Sequence, residues 1–232
     1  MFCGEGLPLW AVVTDNSSIS FPEPLSGGPY RLNNQGVPTQ KECSKHKWYN
    51  YQFSKQCGFA YQSLYDDVNG IRDSFSNYWK FVATQFADCQ NCIGYELFNE
   101  PWAGDVVKNP LLMLPKRADK INLSRFYDHI QKAIRQVDQK HIILFESVTW
   151  DLYGVGFDNV PGGDDYRNRS VLSYHYYDPP YPSIDLMFYV RAKDIRRLGC
   201  GGFLTEFGID MHIDKIRKVC DKSDKMLQSW AV

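Results

Sequence analysis

Four apolar runs, at 93–98, 141–145, 171–176 and 202–205, are each strand-length, and each gives way to polar residues at its C-terminal end. Asn99 and Glu100 follow the first, Glu146 the second and Glu206 the fourth, while His175 and Tyr177 stand at the end of the third. Between these runs lie segments of helical spacing. In 123–137 the apolar residues Phe126, Ile130, Ile134 and Val137 share one face, and a second helix spans 184–198 with Gly199 as its C-terminal stop. Strands alternating with helices fold as right-handed crossovers on a parallel sheet. An open doubly wound sheet is expected to carry a Gly-rich phosphate loop, and this sequence has none. Polar residues at every strand exit are instead how a parallel barrel builds its catalytic face. The expected fold is therefore α/β, a (β/α)8 (TIM) barrel.

Strand counting limits how much of a barrel is present. A complete one takes about 250 residues, and this chain has 232. If Glu100 ends strand four and Glu206 strand seven, three strands must precede residue 90. That region instead holds an irregular stretch at about 15–58, rich in Ser, Pro, Gly, Asn and Gln, and then a helix at about 67–87. Ile71, Phe75, Tyr78, Trp79, Val82 and Phe86 fall on one face of that helix, and its Trp and Tyr are read as core. The tail DKMLQSWAV reads as strand eight beginning. The expectation is one partial catalytic domain over 1–232, an incomplete barrel of about strands four to seven plus the start of eight. Its exposed sheet edges and apolar interior favour association.

Composition narrows the partners. Twenty-six basic and 27 acidic residues leave a formal charge of −1, without blocks of like charge, so nucleic acid is not an expected partner and contact with a membrane surface is at most transient. No obligate protein partner is expected. No run of eighteen apolar residues occurs, and residues 1–20 lack the pattern of a signal peptide, so an exported protein would carry its signal before Met1. Seven cysteines leave at least one without an internal partner, and Cys43 with Cys57, flanking a polar loop, is the expected disulfide. Cys89 and Cys92 form a lone CxxC, without the second pair that zinc needs, and read as a loop disulfide or free thiols. Sequons at Asn16, Asn122 and Asn168 point to the secretory route.

Paired carboxylates at facing strand ends make carbohydrate hydrolysis the leading reading. Retaining cleavage of a glycosidic bond takes two carboxyl groups about 5–5.5 Å apart, one protonated to assist the leaving oxygen and one ionised to attack the anomeric carbon. Glu100, in IGYELFNEPW, is assigned as acid/base and Glu206, in GGFLTEFG, as nucleophile. The negative charge of Glu206 favours the protonated acid, and once the glycosyl-enzyme forms that charge is consumed and Glu100 can activate water. Asn99 is placed to bind the sugar 2-hydroxyl, although an Asn before Glu-Pro also suits a turn. His175 and Tyr177 stand two apart and so point to one side of an extended segment, where the tyrosine hydroxyl can orient the nucleophile. A structural imidazole is the plain account of a lone histidine, but the place of His175 at a third strand end favours a substrate-binding role, shared with Tyr177. Trp102 and Trp150 follow strand ends four and five, where an indole stacks on sugar or fills core. Glu146 and Asp151 share that rim, and Glu146 rivals the assigned pair for either role, whereas Glu96, mid-strand, lies further from the mouth.

An Asn before the acid/base at strand four, a His-x-Tyr at strand six and a Glu ending strand seven resemble glycoside hydrolase family 5. The blocks GYELFNEPWAGD, FESVTWD, GVGFDNVPGG, SYHYYDPP and GGFLTEFG look more specifically like the endoglycoceramidases, which cleave between oligosaccharide and ceramide in glycosphingolipids. The opening FCGEGLPLWAVV is similar to the segment after that family's third strand. The resemblance implies retaining endo-hydrolysis without metal or cofactor, a glycosphingolipid or oligosaccharide substrate, an apolar surface for ceramide, and a secreted or lysosomal location. The arginine and histidine expected on earlier strands have no counterpart here, and the strand-eight tryptophan would follow Val232 or be replaced by Trp230. Two other readings use the same residues: a cellulase- or mannanase-type hydrolase, favoured by a long polar cleft, and a non-catalytic carbohydrate- or lipid-binding remnant, favoured by the missing strands.

Overall fold

Parallel strands cannot be joined by tight turns, so each return to the sheet needs a long crossover. In the computed structural model, which describes residues 3–4, 7–12, 20–178, 180–208 and 211–232, five strands lie in chain order in one sheet. They are β1 (Gly94–Glu96), β2 (Ile142–Glu146), β3 (Ser170–Tyr176), β4 (Gly201–Phe207) and β5 (Ser229–Trp230), and every neighbouring pair is parallel. Helix α4 (Ser124–Ile134) carries the chain from β1 to β2, α5 (Ile184–Leu198) from β3 to β4, and α6 (Ile213–Lys225) from β4 to β5. The β2–β3 connection is different: residues 147–163 run without helix or strand, and a 3₁₀ turn at Asp164–Arg169 returns the chain to the sheet.

The sheet curls as a barrel wall does. Thr205 Oγ1 on β4 donates to Glu96 Oε1 on β1 over 3.2 Å, although β2 and β3 separate those strands in the sheet. Among the described residues, β1 and β5 are each paired on one side only. The fold is thus an open arc of five consecutive strands of a (β/α) barrel.

Period-two burial places the core. Ile143, Phe145 and Leu172 pack with Phe126, Tyr127, Ile130 and Ile134 of α4, whose predicted inward face is the observed one. Further along, Tyr174, Tyr176, Leu204 and Phe207 form a second cluster with Met187 and Phe188 of α5 and Val219 of α6. Each such side chain contributes about 1.5–3 kcal/mol on burial.

The N-terminal third corrects three expectations. The irregular stretch ends at Ser54, not 58, because α2 (Lys55–Asp66) starts there with the Ser54 hydroxyl accepting from the Cys57 amide. A short helix, α1 (Gln40–Cys43), capped by Thr39, also interrupts it. The disulfide joins Cys43 to Cys3, not Cys57, which α2 turns into the core as a thiol that burial pushes above its ordinary pKa. Helix α3 (Ile71–Phe86) starts four residues later than expected, because Asp67, Asn69 and Gly70 hold left-handed φ, and its Phe75, Trp79 and Val82 pack on the core. Tyr78 and Phe86, expected on that face, are exposed. Cys89 and Cys92 are free and half-buried. The Asn16 sequon lies outside the described residues.

Candidate active site

Backbone pairing decides which side chains reach the mouth of the arc. Tyr174 and Tyr176 are buried against α5 and α6, so His175 and Tyr177 point to the opposite side of β3. A β-bulge between Tyr174 and His175 shifts the register so that His175 pairs with Glu206, skipping Thr205. Bulges re-aim side chains, and this one brings an imidazole alongside a carboxylate. At the other wall the β1–β2 ladder continues to Leu97, whose amide donates to Leu144 O over 3.1 Å, and the chain then turns to present Glu100.

Five side chains from four strand ends meet there. His175 Nδ1 lies 2.8 Å from Glu100 Oε1 and 3.5 Å from Glu146 Oε1, and its Nε2 lies 3.6 Å from Glu206 Oε2. The Tyr177 hydroxyl donates to Glu206 Oε1 over 2.5 Å. An oxygen of Glu100 and one of Glu206 fall within 4.8 Å of each other and of a His175 nitrogen. So close an approach fits retaining hydrolysis, whose carboxyl groups stand about 5–5.5 Å apart, and not the roughly 6.5–9.5 Å of inverting enzymes.

Electrostatics divide the carboxyls by environment. Glu146 is 4% exposed, and burial raises its pKa to about 8 against the opposing influence of the His175 charge and the Glu100 amide. Burial works against a charged His175, but the hydrogen bond to Glu100 and the charges of Glu146, Glu206 and Glu100 outweigh it, raising the imidazole to about 9. Glu206 is the open member, its side chain 41% exposed, and it accepts a hydrogen bond from the Tyr177 hydroxyl.

The remaining assigned residues fall into two groups. Asn99 is exposed on the rim beside Glu100. Trp150 is half-buried and lines an apolar hollow of about 280 Å³ with Met113, Leu152 and Tyr153. That hollow adjoins the carboxylate cleft, sharing Thr149, Pro180 and Tyr181 with it. Trp102 does not face substrate. It is 2% exposed and packs edge-on against Phe53 at 4.9 Å and Trp150 at 5.1 Å, so its indole supports the wall that carries Trp150.

Residues given no role by the sequence hold the cleft in place. Asp151 is buried, accepts from Ser147 and forms an ion pair with Arg191 of α5. Burial raises its pKa and the arginine opposes that rise. Asp119 accepts the amides of Val148 and Gly156, pinning the start and the middle of the helix-free loop. A Cβ on Gly156 would meet Lys116 O at 1.9 Å, so only glycine fits this approach. A further hollow, about 460 Å³ between α4 and residues 157–163, shares no residue with the carboxylate cleft.

A curled parallel sheet with a close carboxyl pair at its C-terminal rim is the architecture on which barrel glycoside hydrolases are built. The profile described as Cellulase (glycosyl hydrolase family 5) matches residues 42–231, and the chain belongs to that family. It is similar to endoglycoceramidases from two cnidarians. The Hydra vulgaris protein is 48% identical over 231 residues, which are 99% of this chain and 44% of that one. The Cyanea nozakii protein is 48% identical over 234 residues, 99% of this chain and 46% of that one. This chain therefore spans somewhat under half the length of the curated relatives it matches. Among solved structures, endo-glycoceramidase II from Rhodococcus sp., as its lactosyl-enzyme intermediate, superposes with a TM-score of 0.74 at 20% identity over 99% of this chain and 50% of that one. At that identity the likeness establishes the shared fold.

Proposed function

We propose that this chain carries the acid/base and the nucleophile of a retaining endo-glycosidase that releases oligosaccharide from ceramide in glycosphingolipids. The close Glu100–Glu206 pair around His175 carries the reading. The adjoining apolar hollow beside Trp150 suits a lipid aglycone, and the cnidarian relatives bear the name endoglycoceramidase.

In the first step Glu206 attacks the anomeric carbon, the bond to the ceramide oxygen breaks, and that oxygen takes the bonding pair and the proton of Glu100. Glu100 Oε1 is held toward that oxygen by its 2.8 Å hydrogen bond with His175 Nδ1. Tyr177 orients the nucleophile by donating its hydroxyl to Glu206 Oε1. In the second step Glu100 takes a proton from water, whose oxygen attacks the anomeric carbon and frees the Glu206 carboxylate. Acid, base and nucleophile are all carboxyls, so the reaction as written calls on no metal or redox cofactor. The full-length polypeptide should release oligosaccharide from a glycosphingolipid with the β anomer formed first, and Glu206→Gln should abolish release. Inverted product, or full release by that variant, would overturn the reading.

The same reading includes a secreted or lysosomal glycoprotein. The Cys3–Cys43 disulfide suits an oxidising compartment. Asn168 is exposed just before β3, at the end of the strand away from the carboxylates, so a glycan there leaves the cleft clear. Asn122 is fully buried, its amide donating to Ala103 O over 2.8 Å, and accepts no glycan in the folded chain. Expression in secretory cells should give a glycosidase-sensitive mass shift that Asn168→Gln reduces by one glycan. An unchanged shift in that variant would contradict the assignment.

A further inference from the structure

Glu100 holds a backbone conformation that its own sequence disfavours. Its φ is 40°, in the left-handed region that costs a non-glycine residue energy, and it precedes Pro101, before which the chain favours an extended conformation. Such strain persists only where the surroundings impose it. What imposes it here is visible at the amide: the Glu100 N–H donates to Glu146 Oε2 over 2.7 Å, away from the sheet ladder.

Glu146 is built to be a rigid acceptor. It is the last residue of β2, in register with Ser173 of β3, and its own carbonyl accepts the Tyr127 hydroxyl over 2.8 Å. Its side chain is 5% exposed, so it has little room to turn toward a sugar. The second oxygen, Oε1, lies 3.5 Å from His175 Nδ1, the same nitrogen that meets Glu100 Oε1. One buried carboxyl therefore touches the backbone of Glu100 directly and approaches its side chain through His175.

We propose that Glu146 is a positioning residue for the acid/base, fixing the Glu100 amide in its left-handed conformation and, through His175, aiming the Glu100 carboxyl at the leaving oxygen. The assignment rests on the hydrolase reading above and goes beyond it. It also removes Glu146 as a rival to Glu100 and Glu206, because a group spent on holding an amide does not face the anomeric carbon.

Leaving-group dependence separates positioning from packing. Protonation by the acid matters for an alkoxide leaving group such as ceramide and little for a dinitrophenolate, and kcat/KM reports the first, bond-breaking step. In the full-length polypeptide, Glu146→Ala should lower kcat/KM about a hundredfold on the glycosphingolipid, but less than about threefold on the dinitrophenyl glycoside of the same sugar. Glu146→Gln keeps a carbonyl acceptor for the Glu100 amide and should recover at least about tenfold of that loss. Equal losses on both substrates, or none on either, would overturn the proposal. A crystal structure of the Glu146→Ala protein tests the clamp independently of turnover: Glu100 should relax to negative φ, and retention of φ near 40° would refute the clamp. A wild-type protein inactive on both substrates would count against the hydrolase reading, leaving the Glu100 conformation in the variant to decide the role of Glu146.

Discussion

At the scale of single residues, the cleft works by setting unlike environments close together. His175 is the hub, and its raised pKa, about 9, makes the site sensitive to alkali. A histidine whose folded pKa exceeds its unfolded value contributes stability that is complete below about pH 6.5 and lost as pH rises through about 9. Glu146, raised to about 8 by burial, acts in the same direction, because the folded state again holds the extra proton. Thermal melts should therefore show stability falling by on the order of 2 kcal/mol between pH 6.5 and 9. His175→Gln should flatten that slope, and a flat wild-type profile would contradict the electrostatic account. Glu100, Glu206, His175 and Tyr177 were legible in the sequence because a strand's exit and its period-two alternation fix both position and side. Trp102 was not. Its place after a strand end was readable, but its orientation is set by Phe53 and Trp150, which lie far from it along the chain.

At the scale of elements, regular crossovers were readable and the irregular one was not. Helix α5 occupies the residues its pattern predicts, since a capped amphipathic segment has few alternatives. Helix α2 was readable but overlooked: its buried face, Cys57, Ala60, Tyr61, Leu64 and Tyr65, recurs at helical spacing, yet its small and hydroxyl-bearing side chains give little apolar contrast after a Pro- and Gly-rich stretch. The loop at 147–163 carries Thr149, Trp150 and Asp151 into the cleft without a helix to hold it. Arg191, 1% exposed on α5, substitutes for that support by bonding the side chain and carbonyl of Asp151. Removing one partner of a buried ion pair leaves the other charged and unpaired, a cost of about 3–5 kcal/mol. Arg191→Met should lower the unfolding free energy by about that amount, and pairing it with Asp151→Leu should recover much of the loss. If the single variant unfolds like the wild type, the loop is held by something else.

At the scale of the molecule, counting strands in the sequence anticipated an arc with two open edges, because each strand exit announces itself and their number is then arithmetic. The disulfide partner of Cys43 was not countable, since it depends on how residues 3–4 return to α1. Exposed apolar side chains follow from the open arc: Tyr78, Phe81 and Ile93 around α3 and β1, and Leu227, Trp230 and Val232 around β5. The 232-residue polypeptide alone should self-associate, and light scattering that gives a stable 26.9 kDa monomer would contradict this. The central claim is that the arc brings Glu206 to the anomeric carbon as nucleophile with Glu100 as its acid. Its most direct test is to react the full-length polypeptide with a 2-deoxy-2-fluoro glycoside bearing a dinitrophenyl leaving group, then to map the labelled peptide by mass spectrometry. The account predicts one sugar per chain, esterified to Glu206; label on Glu100 or Glu146, or turnover without any covalent adduct, would contradict it.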